Sequence, residues 1–225
     1  MEKTKKVIII GDSAFAEVAY ECFMYDSEYE VVGFSVESEY LKKQELFGLP
    51  IVPFEEIERS FNRDDVEFYA ALVYTQMNRL RSRLYKQAKE KGFKPASYIS
   101  SRAFVWRNVE LGEHCFIFEN NTLQPFVRIG SNVVLWSGNH IGHHSVVRDN
   151  CFIASQAVIS GFCDIGENSF VGVNATLSNN VSIGKDNWIG LGVTVVKSTS
   201  DDALFKGDRS ELAELSATAL FKIKE

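Results

Sequence analysis

From Ile99 onward the chain carries an aliphatic residue at every sixth position. The series runs Ile99, Val105, Leu111, Ile117, Leu123, Ile129, Leu135, Ile141, Val147, Ile153, Ile159, Ile165, Val171, Leu177, Ile183, Ile189 and Val195, with no insertion. Ile, Leu and Val together make up roughly a fifth to a quarter of an average chain, so seventeen in succession do not arise by chance. A fixed period of six predicts a left-handed parallel β-helix of hexapeptide repeats over residues 97–200. Four residues after each aliphatic stand mostly small side chains, among them Cys115, Asn139, Ser145, Cys151, Ala157 and Cys163. These fit a narrow interior beside the aliphatic stack, which makes the three cysteines core fillers. A further period of eighteen is present. The hexads at 111, 129, 165 and 183 open with Leu-Gly or Ile-Gly and have His114, Asn132, Asn168 and Asp186 in fourth place. The hexad at 147 keeps Asn150 but has Arg148 for the glycine. Three hexads therefore make one coil, and the residue types at this corner tolerate a left-handed backbone.

Residues 1–96 follow a different rule, with strands alternating with helices. Lys6–Ile10, Tyr29–Val36 and Val66–Val73 read as strands, with Leu49–Pro53 a short extended piece. Ala14–Met24, Phe54–Phe61 and Asn78–Lys91 read as helices. This order predicts an α/β, Rossmann-like domain with a small parallel sheet. Residues 201–225 are expected to form a tail with a helix over Glu211–Lys224.

Composition narrows the function. The apolar run near the N-terminus, Val7 to Gly11, is too short to span a membrane and lacks the features of a signal peptide, so a cytoplasmic protein is expected. A net charge of −6 argues against a nucleic-acid partner. The four cysteines form no CxxC pair, and no metal is implied.

All four histidines lie in the repeats, three of them in Asn139-His140-Ile141-Gly142-His143-His144. A solenoid corner needs no histidine, so the cluster marks a candidate site; the competing reading is a set of inert corner residues. His143 is third in its hexad, and Gly161 holds the same place one coil later. A base that titrates near neutrality beside an open backbone N–H suits acyl transfer from a thioester to an amine. Trp136, Ser137 and Asn139 precede the histidines and would line a substrate pocket, unless Trp136 packs against a neighbouring subunit. Glu37, at the end of the second strand, stands where doubly wound folds contact ribose or base.

The Val7-Ile8-Ile9-Ile10-Gly11 opening, the Phe47-Gly48-Leu49-Pro50-Ile51 segment and the hexapeptide array together resemble the left-handed β-helix sugar-nucleotide N-acyltransferases, the PglD-like and NeuD-like enzymes that acetylate amino sugars for bacterial surface glycans. The resemblance covers nearly the whole chain. It implies that the N-terminal domain holds the nucleotide of a nucleotide-linked amino sugar, through Gly11, Asp12, Ser13 and Glu37. His140 and His144 would join Trp136, Ser137 and Asn139 around the sugar. It further implies a homotrimer with acetyl-CoA between neighbouring β-helices, His143 as base and the Gly161 amide at the oxyanion. The residues falling on the CoA-lining positions are Gly172, Gly190 and Gly192, with Lys197, Lys206 and Arg209 available for its phosphates. The sequence departs from the family in three places: His144 replaces a commonly acidic residue, the first glycine-rich loop is reduced to Gly11-Asp12-Ser13-Ala14-Phe15-Ala16, and Lys206-Gly207-Asp208-Arg209-Ser210 replaces the usual ending. Two other enzyme readings share the fold: transfer to a hydroxyl, which the N-terminal domain argues against, and a γ-carbonic-anhydrase-like zinc site using histidines of adjacent subunits.

Overall fold

The computed structural model describes residues 2–208 and 210–222. Its N-terminal half is a six-stranded sheet in the order β3-β4-β2-β1-β5-β6. The strands are β1 Lys5–Ile10, β2 Tyr29–Val36, β3 Glu45–Leu46, β4 Leu49–Pro53, β5 Val66–Ala70 and β6 Lys94–Pro95. All pairings are parallel except the β3–β4 hairpin. Helix α1 (Ala14–Asp26) follows β1, and α3 (Arg79–Glu90) precedes β6; between them the expected Phe54–Phe61 helix splits into a 3₁₀ turn, Phe54–Glu56, and the single turn α2, Ile57–Ser60. The third strand stops at Ala70 rather than Val73.

The second half is the predicted β-helix. Each hexad supplies a two-residue strand, and strands pair with a register of eighteen: Phe116 with Val134 on the first face, Thr122 with His140 on the second, Arg128 with Val146 on the third. The aliphatic series from Val105 onward and the small residues four places on form one interior core containing Cys115, Cys151 and Cys163, while Ile99 at the open end of the first coil is exposed. Burial pushes the Cys115 and Cys151 thiols up to about 12, which suits inert fillers. The array continues past residue 200, because Leu204 and Phe205 pair with Trp188 and Ile189 in a last coil shortened to a spacing of sixteen.

The left-handed turn is not confined to one corner in three. Every fourth place from His114 to Gly192 has a positive φ, including Phe126 (65°), His144 (60°) and Phe162 (59°). Closing a triangle in eighteen residues demands the same sharp turn at each corner. That conformation costs roughly 1–2 kcal/mol per non-glycine residue, which the backbone bonds between coils offset. The tail departs further from expectation. Among the described residues its only helix is the turn Ala217–Leu220, and Leu212 and Leu215 are exposed. Without an apolar face to bury, a short helix does not sustain itself in water. Lys224 lies outside the described residues.

The two halves share a core. The outward positions of the first face, Tyr98, Phe116, Val134, Phe152, Phe170 and Trp188, form a column eighteen residues apart. Phe15 and Phe23 of α1 and Tyr69 of β5 pack on it. Helix α3 runs along the adjoining corner. Its Tyr85 and Lys89 meet Glu113, Asn78 just before it donates to the carbonyl of Asn168 (3.0 Å), and Arg79 pairs with Asp186 (2.6 Å). Arg81 is fully buried there. It donates to Asn132 Oδ1 (3.1 Å), to Asn78 Oδ1 (3.1 Å) and to the carbonyls of Leu72, Val73, Asn132, Asn150 and Cys151, with no carboxylate in the set. Burial lowers its pKa to about 10, so it stays charged at neutral pH. His114 lies in the same seam. Its Nε2 accepts from the Ala70 N–H (2.8 Å), which fixes the proton on Nδ1, and Nδ1–H donates to Asn132 Oδ1 (2.9 Å). Tyr69 stacks on the ring at 4.5 Å. Burial depresses its pKa to about 3. The histidine is thus a structural, neutral member of the seam, like the asparagines that follow it at the corner.

Candidate active site

His143 and His144 occupy the corner between the second and third faces. The register of the second face stacks the third places of its hexads as His143, Gly161, Asn179 and Lys197, and the fourth places as Phe126, His144, Phe162 and Asn180. The His143 ring lies over Gly161: a Cβ built there would come within 2.9 Å of Cε1 and 3.0 Å of Nε2. Backbone packing holds the loop, with the His143 N–H donating to Gln124 Oε1 (2.9 Å) and the His144 N–H to the Pro125 carbonyl (3.1 Å). His144 is sandwiched between Phe126 (4.6 Å, 24°) and Phe162 (4.8 Å, 15°), and its Nδ1 is 3.1 Å from Nδ1 of His143. Among the described residues Nε2 of His143 forms no hydrogen bond, and the side chain is exposed.

Gly161 is not the open amide expected from its residue type. Its N–H donates to Asn179 Oδ1 (2.9 Å), a corner bond also seen from Ser131 to Asp149 and from Lys185 to Asp201. The missing side chain instead seats the imidazole. Gly161→Ala is therefore expected to leave the β-helix folded, since the atoms met belong to a movable side chain, while displacing His143. Circular dichroism and sedimentation should be unchanged, and any turnover that His143 carries should fall by on the order of 10²-fold, the effect of misplacing a reacting group by about 1 Å.

Other expected site residues are placed elsewhere. Asn139 is buried in the interior, donating to the Trp136 carbonyl (2.6 Å) and accepting from the Ala157 N–H (2.8 Å); it is a core residue. Trp136 packs on Phe15 (5.2 Å) and Phe118 (4.3 Å) and lies half-buried against the core between the two halves. Ser137 sits at the corner between the first and second faces, at the far end of the strand from His143. His140 points outward from the second face, half-buried between Thr122 and Val158. Gly172 and Gly190 have a packing reason, since a Cβ on either would meet the next coil's backbone at 2.7 Å. Gly192 is an open corner at φ 67°. These three glycines border the opposite edge of the second face from His143. Lys197 lies in the His143 column, three coils on, roughly 14 Å along the axis at about 4.8 Å per coil. Lys206 follows the last strand and is exposed; Arg209 lies outside the described residues.

The N-terminal half supplies a second feature. A cleft of about 350 Å³ opens at the C-terminal ends of β1 and β2, lined by Gly11, Asp12, Ser13, Ser35, Glu37 and Tyr40 among others. This is where a doubly wound sheet places its ligands. Gly11 (φ 122°) lets the chain pass Ala71, whose carbonyl a Cβ would approach to 3.1 Å, and its own N–H is taken by Ser35 O. Ser13 caps α1 without a side-chain bond; its carbonyl accepts from the Ala16 N–H (2.8 Å), and the Ala14 and Phe15 amides have no partner among the described residues. Glu37 is already held by Arg83 through two bonds of 2.7 and 2.9 Å. Ser35 is a residue that hydrophobic patterning passes over: fully buried in a strand, its hydroxyl lacks a partner among the described residues, and it lines the cleft. A larger open groove of about 880 Å³ runs along the third face, crossed by the Arg148–Asp164 ion pair (2.6 Å). Among the described residues, no three His, Cys, Asp or Glu side chains of the chain converge as a metal site, and no helix is long and apolar enough to cross a membrane.

Residues 126–161 and 144–179 match the bacterial transferase hexapeptide family of six repeats. No curated protein sequence matches the chain. Among solved structures, a histidine mutant of perosamine N-acetyltransferase from Caulobacter crescentus, in complex with CoA and GDP-perosamine, is similar at a TM-score of 0.78 and 24% identity, covering 90% of this chain and 93% of that one. The acetyltransferase domain of PglB from Neisseria gonorrhoeae is similar at a TM-score of 0.80 and 20% identity, over 91% and 97% of the two chains. WeeI from Acinetobacter baumannii matches at 0.70 and 20%, over the same shares. Residues 126–179 are thus hexapeptide repeats of the bacterial transferase type, and the chain as a whole has the fold of these acetyltransferases, an α/β domain packed on a left-handed β-helix.

Proposed function

We propose that the chain is an acetyl-CoA-dependent N-acetyltransferase acting on the amino group of a nucleotide-linked amino sugar, a cytoplasmic homotrimer serving bacterial surface glycan synthesis. The observation that carries this reading is an exposed imidazole whose Nε2 has no partner among the described residues, seated on a glycine of the β-helix, in a chain that also bears a ligand-sized cleft with a buried hydroxyl likewise unpartnered among those residues. Two similar structures, from Caulobacter crescentus, hold CoA and GDP-perosamine, which supports a nucleotide sugar in the cleft and CoA on the β-helix. In this mechanism the substrate amine attacks the thioester carbonyl while His143 Nε2 takes the amine proton. The tetrahedral oxyanion collapses to the amide, and the departing CoA thiolate takes a proton from the imidazolium. Gly161 serves the oxyanion once Asn179 releases its N–H.

The trimer has its own support. His143 and Lys197 border one edge of the second face and Gly172, Gly190 and Gly192 the other, so one chain does not enclose a cofactor. The same face and corner leave Phe104, Trp106, Phe126, Val158 and Phe162 exposed, an apolar strip suited to a second copy. The test is release of free thiol from acetyl-CoA with a panel of UDP-, GDP- and dTDP-linked 4-amino-4,6-dideoxy sugars, alongside sedimentation. Thiol release with one amino sugar and a trimeric mass is the expected result. Acetylation of a hydroxyl in place of the amine, stoichiometric zinc lost on removing the histidines, or a stable monomer would overturn it.

A further inference from the structure

The geometry points to His144 as the residue that positions His143, by accepting the Nδ1–H hydrogen bond that fixes its tautomer. The inference rests on the proposed acetyl transfer, but its structural basis is separate. Two imidazole Nδ1 atoms 3.1 Å apart form a bond only if one carries the proton and the other does not. For His143 to act through Nε2 its own proton must sit on Nδ1, so His144 is the acceptor and carries its proton on Nε2. Among the described residues no carboxylate hydrogen-bonds either ring. The neighbours are neutral: Gln124 and Pro125 hold the backbone, and Phe126, Phe162 and Gly161 surround the rings.

The stack explains why a histidine works here. A left-handed corner at φ 60° aims the side chain along the column, and the two phenylalanine rings clamp the imidazole on both faces, so it does not rotate away from His143. His143 meets the same Phe162 edge-on at 5.1 Å, which holds the two rings perpendicular (88°). When His143 takes a proton, its Nδ1–H bond to His144 becomes charge-assisted and strengthens.

Two substitutions separate the bond from the stack. His144→Phe keeps an aromatic ring in a column that already carries phenylalanine at the places before and after it, but removes the acceptor. His144→Asn loses the stack and keeps an oxygen close to the Nδ1 position, on a residue at ease with the left-handed backbone. With the panel's best substrate, kcat of His144→Phe should fall about 10–100-fold at little-changed KM, the usual cost of losing a group that orients a functional histidine, and His144→Asn should stay within about threefold of wild type. The ring ¹⁵N shifts of His143 should report Nδ1–H in wild type and in His144→Asn, and a switch toward Nε2–H in His144→Phe. An unchanged tautomer in His144→Phe, or an Asn variant as impaired as the Phe variant, would overturn the positioning role. If wild type releases no thiol with any substrate the reaction reading has failed, and the ring shifts still decide the histidine pair.

Discussion

Replacing His143 by alanine is expected to lower kcat for thiol release by on the order of 10²–10⁴-fold while leaving the oligomeric state and melting temperature unchanged. The reasoning starts from exposure. The imidazole is on the surface of a corner and closes no core cavity, so its removal leaves no buried group unpaired. Its backbone N–H bond to Gln124 persists in the variant. What disappears is the proposed proton acceptor at the attacking amine, along with the partner of His144. KM for acetyl-CoA should therefore stay near wild type, because the corner backbone and Lys197 are untouched. Steady-state kinetics and sedimentation velocity on the same preparation decide the matter. Full turnover by His143→Ala would move the base to another group, with His140, next along the same strand, the first to test.

The second large effect is on stability. His114 is neutral in the folded chain, with a pKa near 3, against about 6.5 in an unfolded one. Well above pH 6.5 neither state binds a proton there, and the seam contributes in full. As pH falls from 6.5 toward 3 the unfolded chain takes up a proton that the folded chain refuses, so stability drops by up to about 1.4 kcal/mol per pH unit. Tyr69 and Tyr85 cover the ring, and Arg81 and Lys89 nearby further oppose its charging. Urea unfolding of the wild type between pH 7 and pH 4.5 should show this slope over and above that of the carboxylates. His114→Asn, less stable at pH 7 because Ala70 loses its acceptor, should show a flatter profile. Parallel profiles would mean that His114 does not carry the pH dependence.

Much of this was readable in the chain. The six-residue series located the interior, and the eighteen-residue register that it implied is the one that pairs Thr122 with His140 and His140 with Val158. The same ruler stacks His143 on Gly161. It did less well where a residue type has two uses. Asn139 resembled a polar site residue because it neighbours histidines, yet its place four after Leu135 makes it an interior ladder residue. Gly172 and Gly190 resembled ligand-lining positions but are glycines because the next coil leaves no room. Arg81 gave no local sign of burial, since its partners are backbone carbonyls and two asparagine side chains that two β-helix hexads and the β5–α3 loop bring together. The outward aromatic column of the first face was present at a period of eighteen all along, but a search for inward aliphatics does not count it. Ser35, too, is invisible to hydrophobic patterning, because an orphaned hydroxyl shows only once its surroundings are known.

That aromatic column has a consequence for how such a chain can be divided or recombined. Residues 97–205 look modular, a solenoid that any neighbour might carry, but Phe116, Val134, Phe152 and Phe170 owe their dryness to the other half of the molecule. Cut free, the solenoid would offer a hydrophobic flank to whatever it met, and the leading half would lose the floor under α1. A graft of either half onto a foreign partner therefore has to bring its counterpart's surface with it, so the unit of inheritance here is the joint and not the repeat.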